Sequence, residues 1–278
     1  MKTQGTKLGV RWTIGDVSRE GFEALRLSVW GALKLFGALA DYVICVNSIP
    51  LQLAKHNAGE LPAQVVWHAV SAADLPQLFH GYVGSGMAEG AAWKFAPLRI
   101  FPDRFELALD NDCILWAIPE SMHAWLEANS ASLCLTAEDV RSCFGVYTKF
   151  CGAAPRNLGI RGLPPYFDLA AALKTMLREI PVQLNSELDE QGLQLAALSL
   201  SAKPLAVSVD DVAICSPFPP HLPHLGRCGA HFVGLNSHRL PWSLEGREAS
   251  ELTRENWHRW KSEVARNVAP VCLLANCA

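Results

Sequence analysis

Residues 105–116 read FELALDNDCILW. An apolar run from Phe105 to Leu109, broken only by Glu106, delivers the chain to Asp110-Asn111-Asp112, and another apolar run begins at once. The first run looks like a buried strand. Burying charge is costly unless the charge is paired or bound to a cation. The two carboxylates therefore mark either a turn that reaches solvent or a site that holds something positive.

Working outward, the first half of the chain alternates strand-like and helix-like segments. LGVRWTI (8–14), DYVICVN (41–47) and AQVVWHAV (63–70) read as strands beside FELALD (105–110). Between the first two, Val17 to Leu39 carries apolar residues at helical spacing, with Asp16 or Ser18 available as N-cap. This alternation predicts an α/β fold with a mostly parallel sheet and helices on its faces. The second half is less regular. PESMHAWLEAN (119–129), LTAEDVRSCF (135–144), YFDLAAALKTMLREI (166–180), DEQGLQLAALSLS (189–201) and EASELTRENWHRWKSEVARNV (248–268) read as helices. LAVSVDDVAICSP (205–217) reads as strand, NLGIRGLP (157–164) as loop, and the apolar tail 270–278 is expected to dock on the body.

No composition shift marks a linker, so residues 1–278 are expected to form a single domain. It divides at about 1–116 and 117–245, followed by a C-terminal helix and tail 246–278. Half of the 278 residues are hydrophobic and 18% are charged, enough for a substantial core. A formal net charge of −3 gives no electrostatic footprint for nucleic acid. Nine cysteines, an odd number with no CxxC pair, fit free thiols in a reducing cytoplasm better than disulfides or zinc. The N-terminus is too polar for a signal peptide. The most membrane-like window, residues 28–46, contains Lys34 and Asp41 and reads as a helix end followed by a strand, not a transmembrane span.

Chemistry gathers at a few places. In α/β sheets ligands collect at the carboxyl ends of strands, and Asp110 and Asp112 stand there as two hard oxygen donors suited to Mg²⁺ or Mn²⁺. The same residues also suit a solvated Asx turn. His231, in GAHFVGLNSHRLPW (229–242), can supply a third ligand, and Gly234 can let backbone pass close to a phosphate. His238 and Arg239 add donors nearby. Lys94 and Arg99, just before the DND strand, are phosphate-binding side-chain types, and equally ordinary surface cations.

Taken in order, these pieces resemble nucleotide-sugar-dependent glycosyltransferases of the type A (GT-A) fold, in particular the family that includes glycogenin and the bacterial lipopolysaccharide galactosyltransferases. LALDND resembles the family's strand ending in DxD, NLGIRG its asparagine–glycine segment, and DEQGL its helix start. HFVG…PW resembles its HxxGxxKPW motif, and the Lys94 region its basic segment. The likeness spans roughly residues 8–242. The chain departs from the pattern in having six residues between Gly234 and Pro241 where the motif has three, and Leu240 where it has lysine.

The resemblance implies a Rossmann-like sheet and a Mn²⁺ or Mg²⁺ ion held by Asp110, Asp112 and His231. It implies a nucleoside-diphosphate sugar, UDP-sugar first, held by Lys94, Arg99, Asn111, Gly234 and Arg239. Thr13 and Asp16, at the end of the first strand, are placed near the base. Asp189 and Gln191 are the expected catalytic residues facing sugar or acceptor. The acceptor would be a carbohydrate, lipid or protein, the chain could form a homo-oligomer, and the stereochemistry leans to retention. Two other readings stand beside this one. The first is a silent nucleotide-binding scaffold of the same fold. The second is a haloacid-dehalogenase-type phosphatase with Asp110 as nucleophile, although that motif normally opens its domain.

Overall fold

The computed structural model describes residues 8–83, 87–128, 130–202 and 204–269, with backbone only at 87–89. The tail 270–278 lies outside the described residues. The chain opens with β1 (Leu8–Ile14), α1 (Arg19–Phe36), β2 (Ala40–Val46), α2 (Leu51–Ala58) and β3 (Val65–Ala69). Then come α3 (Met87–Ala92), β4 (Phe105–Leu109), β5 (Cys113–Leu115), α4 (Glu120–Glu127), β6 (Leu135–Glu138) and β7 (Arg156–Leu163). Two helices, α5 (Leu169–Met176) and α6 (Glu187–Ser201), precede β8 (Leu205–Val207), β9 (Val212–Ile214) and β10 (Gly229–His231). The hairpin of β11 (Ser243–Leu244) and β12 (Arg247–Glu248) leads into α7 (Ala249–Val268).

Seven strands form the central sheet in the order β3-β2-β1-β4-β7-β6-β8. β1 to β4 are parallel, β7 runs against both β4 and β6, and β8 is parallel to β6. Only β7 is reversed, so the mostly parallel α/β sheet expected from the sequence is what forms. A second sheet, β5-β10-β9, stands beside it.

Alternation along the strands sorts the two faces. Leu8, Val10, Trp12 and Ile14 of β1 join Phe105, Leu107 and Leu109 of β4 in one core, packed by Phe22, Leu25 and Val29 of α1. Burying each large side chain of that kind is worth about 1.5–3 kcal/mol. The intervening residues, Arg11 and Thr13 on β1 and Glu106 and Ala108 on β4, face the other way. That face is covered by α5 and α6, whose Leu173, Leu193 and Ala197 share a second core with Val43 and Cys45. Ser18 is the N-cap of α1, its hydroxyl accepting the Gly21 N–H at 3.0 Å. Residues 28–46 divide between α1 and β2 as expected, and no helix among the described residues is long and apolar enough to cross a membrane.

The second half departs from its sequence pattern in three places. LTAEDVRSCF is not a helix: Leu135–Glu138 is β6, held between β7 and β8. NLGIRGLP is not a loop but most of β7. Its glycines are there because Gly159 meets an imidazole and Gly162 meets the Trp125 ring, where a Cβ would lie 2.4 and 2.7 Å from those groups. The helix of 166–180 is confined to Leu169–Met176, since Asp168 caps it by accepting the Ala171 N–H at 2.9 Å.

Candidate functional site

β4 ends between β1 and β7. The chain moves outward from β1 through β2 to β3 and returns to β4 on the other side of β1. That reversal opens a crevice at the strand ends, where open α/β sheets bind ligands. Asp110-Asn111-Asp112 sits at this point, and its backbone is fixed on three sides. The Asp110 N–H bonds the Gly159 carbonyl, the Cys113 N–H bonds the Asp110 carbonyl, and the Phe232 N–H bonds the Asp112 carbonyl, each at 2.9 Å.

Short β5 follows the motif at once and pairs antiparallel with β10, setting Cys113 opposite His231. This pairing carries a histidine from far along the chain to the motif. His231 Nε2 lies 3.3 Å from Asp112 Oδ1 and 3.7 Å from Asp110 Oδ2. Donor atoms of all three residues fall within 4.8 Å of one another. Adjacent ligands of an ion with bond lengths of about 2.0–2.6 Å stand roughly 3–3.7 Å apart, so the spacing suits one ion. Asp112 Oδ1 and His231 Nδ1 are buried without a hydrogen-bond partner. Buried polar atoms are seldom left so, and an unmatched carboxylate oxygen facing an imidazole fits a cation between them. Burial opposes the charged imidazole, but the Asp112 carboxylate beside it, with Asp110 beyond, outweighs burial and raises the His231 pKa.

The Lys94 ammonium lies 3.0 and 3.1 Å from the two Asp110 oxygens and 3.4 Å from Glu190 Oε2. Burial opposes its charge, yet Asp110 and Glu190 prevail and hold its pKa above the usual lysine range. Glu190 is buried, and burial raises its pKa. Gln194 joins Glu190 to Arg161, donating to the carboxylate and accepting from the guanidinium. Lys94, Asp110, Thr13, Glu190, Gln194, Arg161, Arg11 and Ala108 line one pocket.

The expected residues divide. Asp110, Asp112, His231, Lys94 and Thr13 converge on the crevice. Asn111 turns away from it and exchanges amide hydrogen bonds with Asn236 at 2.5 and 3.0 Å, while Asn236 also donates to Asp112 Oδ2 at 3.3 Å. It clamps the motif rather than lining the pocket. Arg99 is not free for phosphate: its guanidinium donates to the carbonyls of Pro164, Phe167, Phe101 and Arg104, each at 3.0 Å. Arg239 is exposed and pairs with Glu248 at 3.1 Å. Asp16, also exposed, pairs with His238 at 3.0 Å. Gly234 adopts φ of 87° in the turn after β10.

Asp189 and Gln191 are engaged elsewhere. Asp189 accepts the N–H groups of Val146 at 2.9 Å and Asn185 at 2.8 Å. Gln191 accepts the Leu158 N–H at 3.2 Å and donates to the Cys143 carbonyl at 2.8 Å. The polar residues that α6 sends into the pocket are Glu190 and Gln194. They are four apart and so share one helix face, a signal readable in the sequence once the helix phase is known. Gly159, Arg11 and Asn236 carried no signal of their own.

No family profile and no curated protein sequence matches the chain. Solved structures do. A galactosyltransferase, LgtC, in complex with donor and acceptor sugar analogs superposes with TM-score 0.50 at 13% identity, covering 92% of this chain and 99% of its own. The apo structure of WbbM, a bifunctional glycosyltransferase, gives TM-score 0.53 at 13% identity, covering 96% of this chain and 52% of its own. The present chain thus spans about half of WbbM. The strand order, the DND strand at its reversal and these superpositions agree: the chain has the GT-A fold.

Proposed function

We propose that this chain, working as one domain, is a metal-dependent glycosyltransferase that moves a sugar from a nucleoside-diphosphate donor to an acceptor. The observation that carries the reading is the meeting of Asp110, Asp112 and His231 within 4.8 Å at the sheet's crevice, beside Lys94. The neighbouring folds, a galactosyltransferase with bound donor and acceptor sugar analogs among them, support it.

In this reading Asp110, Asp112 and His231 hold Mn²⁺ or Mg²⁺, which when bound supplies Lewis-acid neutralisation of the departing diphosphate. Lys94, held in place by Asp110 and Glu190, adds fixed positive charge beside it. Asn236 and Asn111 hold the Asp112 carboxylate in place, as outer partners of metal ligands do. Glu190 and Gln194 face the sugar, ahead of Asp189 and Gln191. Thr13 stands at the pocket's edge at the end of β1. UDP is the first donor base to test. The phosphatase alternative is disfavoured, because DND ends the fourth strand of a GT-A sheet rather than the opening strand of its domain.

The experiment is a thermal-shift series with UDP, GDP and dTDP, each with and without Mn²⁺, followed by hydrolysis assays of the matching nucleotide sugars. One nucleoside diphosphate should raise the melting temperature only when Mn²⁺ is present, and Asp112→Asn should abolish the shift. Slow hydrolysis of the matching sugar nucleotide should accompany it. Stabilisation without any turnover would favour the silent scaffold, and no Mn²⁺-dependent stabilisation at all would defeat the reading.

A further inference from the structure

The pocket beside Asp110 is also lined by two arginines, Arg11 and Arg161. Arg11 on β1 pairs in register with Ala108 on β4, and Ala108 pairs in register with Arg161 on β7. Registered neighbours on adjacent strands point to the same face, so a single methyl group separates two guanidinium-bearing side chains. Ala108 is also the one half-exposed residue in an otherwise buried β4. The small side chain leaves a gap between the arginines in a pocket that is partly open to solvent.

The charge in this slot is incompletely balanced. Arg11 and Arg161 are 1% and 4% exposed. The carboxylate behind them is Glu106, whose Oε1 stands 3.8 Å from each, beyond hydrogen-bond length. Its other oxygen accepts the N–H groups of Ile100 and Phe101 at 2.6 and 2.7 Å. Glu106 Oε1 and Arg161 Nε are both left without a hydrogen-bond partner. Burial, with Arg11 beside it, pushes the Arg161 pKa down to about 10. Glu190 offsets part of this charge across space, but its closest cation is Lys94 at 3.4 Å, and its hydrogen-bonded link to Arg161 runs through the neutral amide of Gln194. Buried ions need compensation, and a planar carboxylate is the group that guanidinium donors fit best.

We infer that the donor sugar is acidic: a hexuronate whose carboxylate is bound between Arg11 and Arg161. This rests on the glycosyltransferase reading above, which places the diphosphate at the metal ligands and leaves the sugar to enter the slot. Arg11 already donates to the Pro97 carbonyl at 2.7 Å and to the Thr13 hydroxyl at 3.3 Å, but a neutral hexose would present a hydroxymethyl group there and leave Arg161 Nε without a charged partner. A site built to bond one polar group discriminates strongly against the analogue lacking it.

The test is calorimetric titration of the full chain with Mn²⁺, comparing each hexose nucleotide with its hexuronate. The pairs are UDP-glucose with UDP-glucuronate, GDP-mannose with GDP-mannuronate, and dTDP-glucose with dTDP-glucuronate, beside free UDP, GDP and dTDP. For the base that binds, the hexuronate should bind about tenfold tighter or better than the hexose, the worth of one charge-assisted hydrogen bond. Arg161→Gln should bring that ratio close to one. If this variant does not fold, the ratio for the unmodified chain decides alone. A hexose that binds as tightly as its hexuronate overturns the inference and leaves the transferase reading standing. Failure of every free nucleoside diphosphate to bind with Mn²⁺ overturns both.

Discussion

A Cβ on Gly159 would stand 2.4 Å from both Cε1 and Nδ1 of His231. β7 omits a side chain at the place where the imidazole of β10 lies against it, so the ring's position depends on that omission. Gly159→Ala should displace His231 and weaken Mn²⁺ binding by about ten- to a hundredfold, the range seen when partners of metal ligands are lost. Calorimetry with Mn²⁺ and the stabilising nucleotide measures it. Unchanged affinity in a folded variant would remove His231 from the proposed ligand set.

Lys94 separates Asp110 from Glu190, and its removal should be felt twice. Lys94→Met deletes the cation beside the diphosphate site and leaves buried Glu190 without its ion partner. The side chain keeps 35% of its surface, so solvent screens part of the loss, and the expected destabilisation is about 1–3 kcal/mol. Adding Glu190→Gln should recover much of the melting temperature but none of the nucleotide affinity. If the double variant melts no higher than the single one, the Lys94–Glu190 pairing is not what stabilises this region.

Asp189 ties the start of α6 to the turn at Val146 through two backbone N–H groups. Asp189→Ala orphans both donors, which should cost about 1–3 kcal/mol of stability. Donor affinity should change little. A large fall in affinity or turnover with normal stability would instead place Asp189 at the substrate.

Glu23 on α1 links to α7, accepting from the Trp257 indole at 3.1 Å and from Lys261 at 3.4 Å. Burial pushes its pKa up, but Trp257 and Lys261 outweigh burial and lower it below 4.5. A depressed folded pKa stabilises the protein above the unfolded pKa, and that stability disappears as pH falls through the folded value. Glu23→Gln should therefore lower the melting temperature by about 2–4 °C at pH 7, for a loss of about 1 kcal/mol. The gap from the unmodified protein should narrow as the pH is taken below 4.5. A gap that is constant across this range would show that the charge of Glu23 contributes nothing.

The first half of the fold was legible because its signals are local. Four apolar strand runs alternate with helical spacing, and Ser18 announces α1. The DxD strand, the histidine far downstream and Lys94 were legible too, since each is a residue type that the proposed chemistry requires. The second half was harder to read. Leu135–Glu138 and Arg156–Leu163 are strands because neighbouring strands supply their hydrogen bonds, not because their own residues favour strand. Gly159 and Gly162 resemble loop residues until the ring that each one accommodates is in place.

The sequence by itself determined the sheet's apolar strands, the two carboxylates at the end of β4 and the kinds of side chain that can answer them. Tertiary structure alone decided which of these meet. The pairing of β5 with β10 brings His231 to Asp112, and the phase of α6 turns Glu190 inward and Asp189 toward the turn at Val146. Carbonyls of distant loops close around Arg99 and take it out of the site. The register of β1, β4 and β7 aligns Arg11, Ala108 and Arg161 in one row. Helix phase and strand register are set by packing across the whole sheet, so a single segment read alone cannot reveal them.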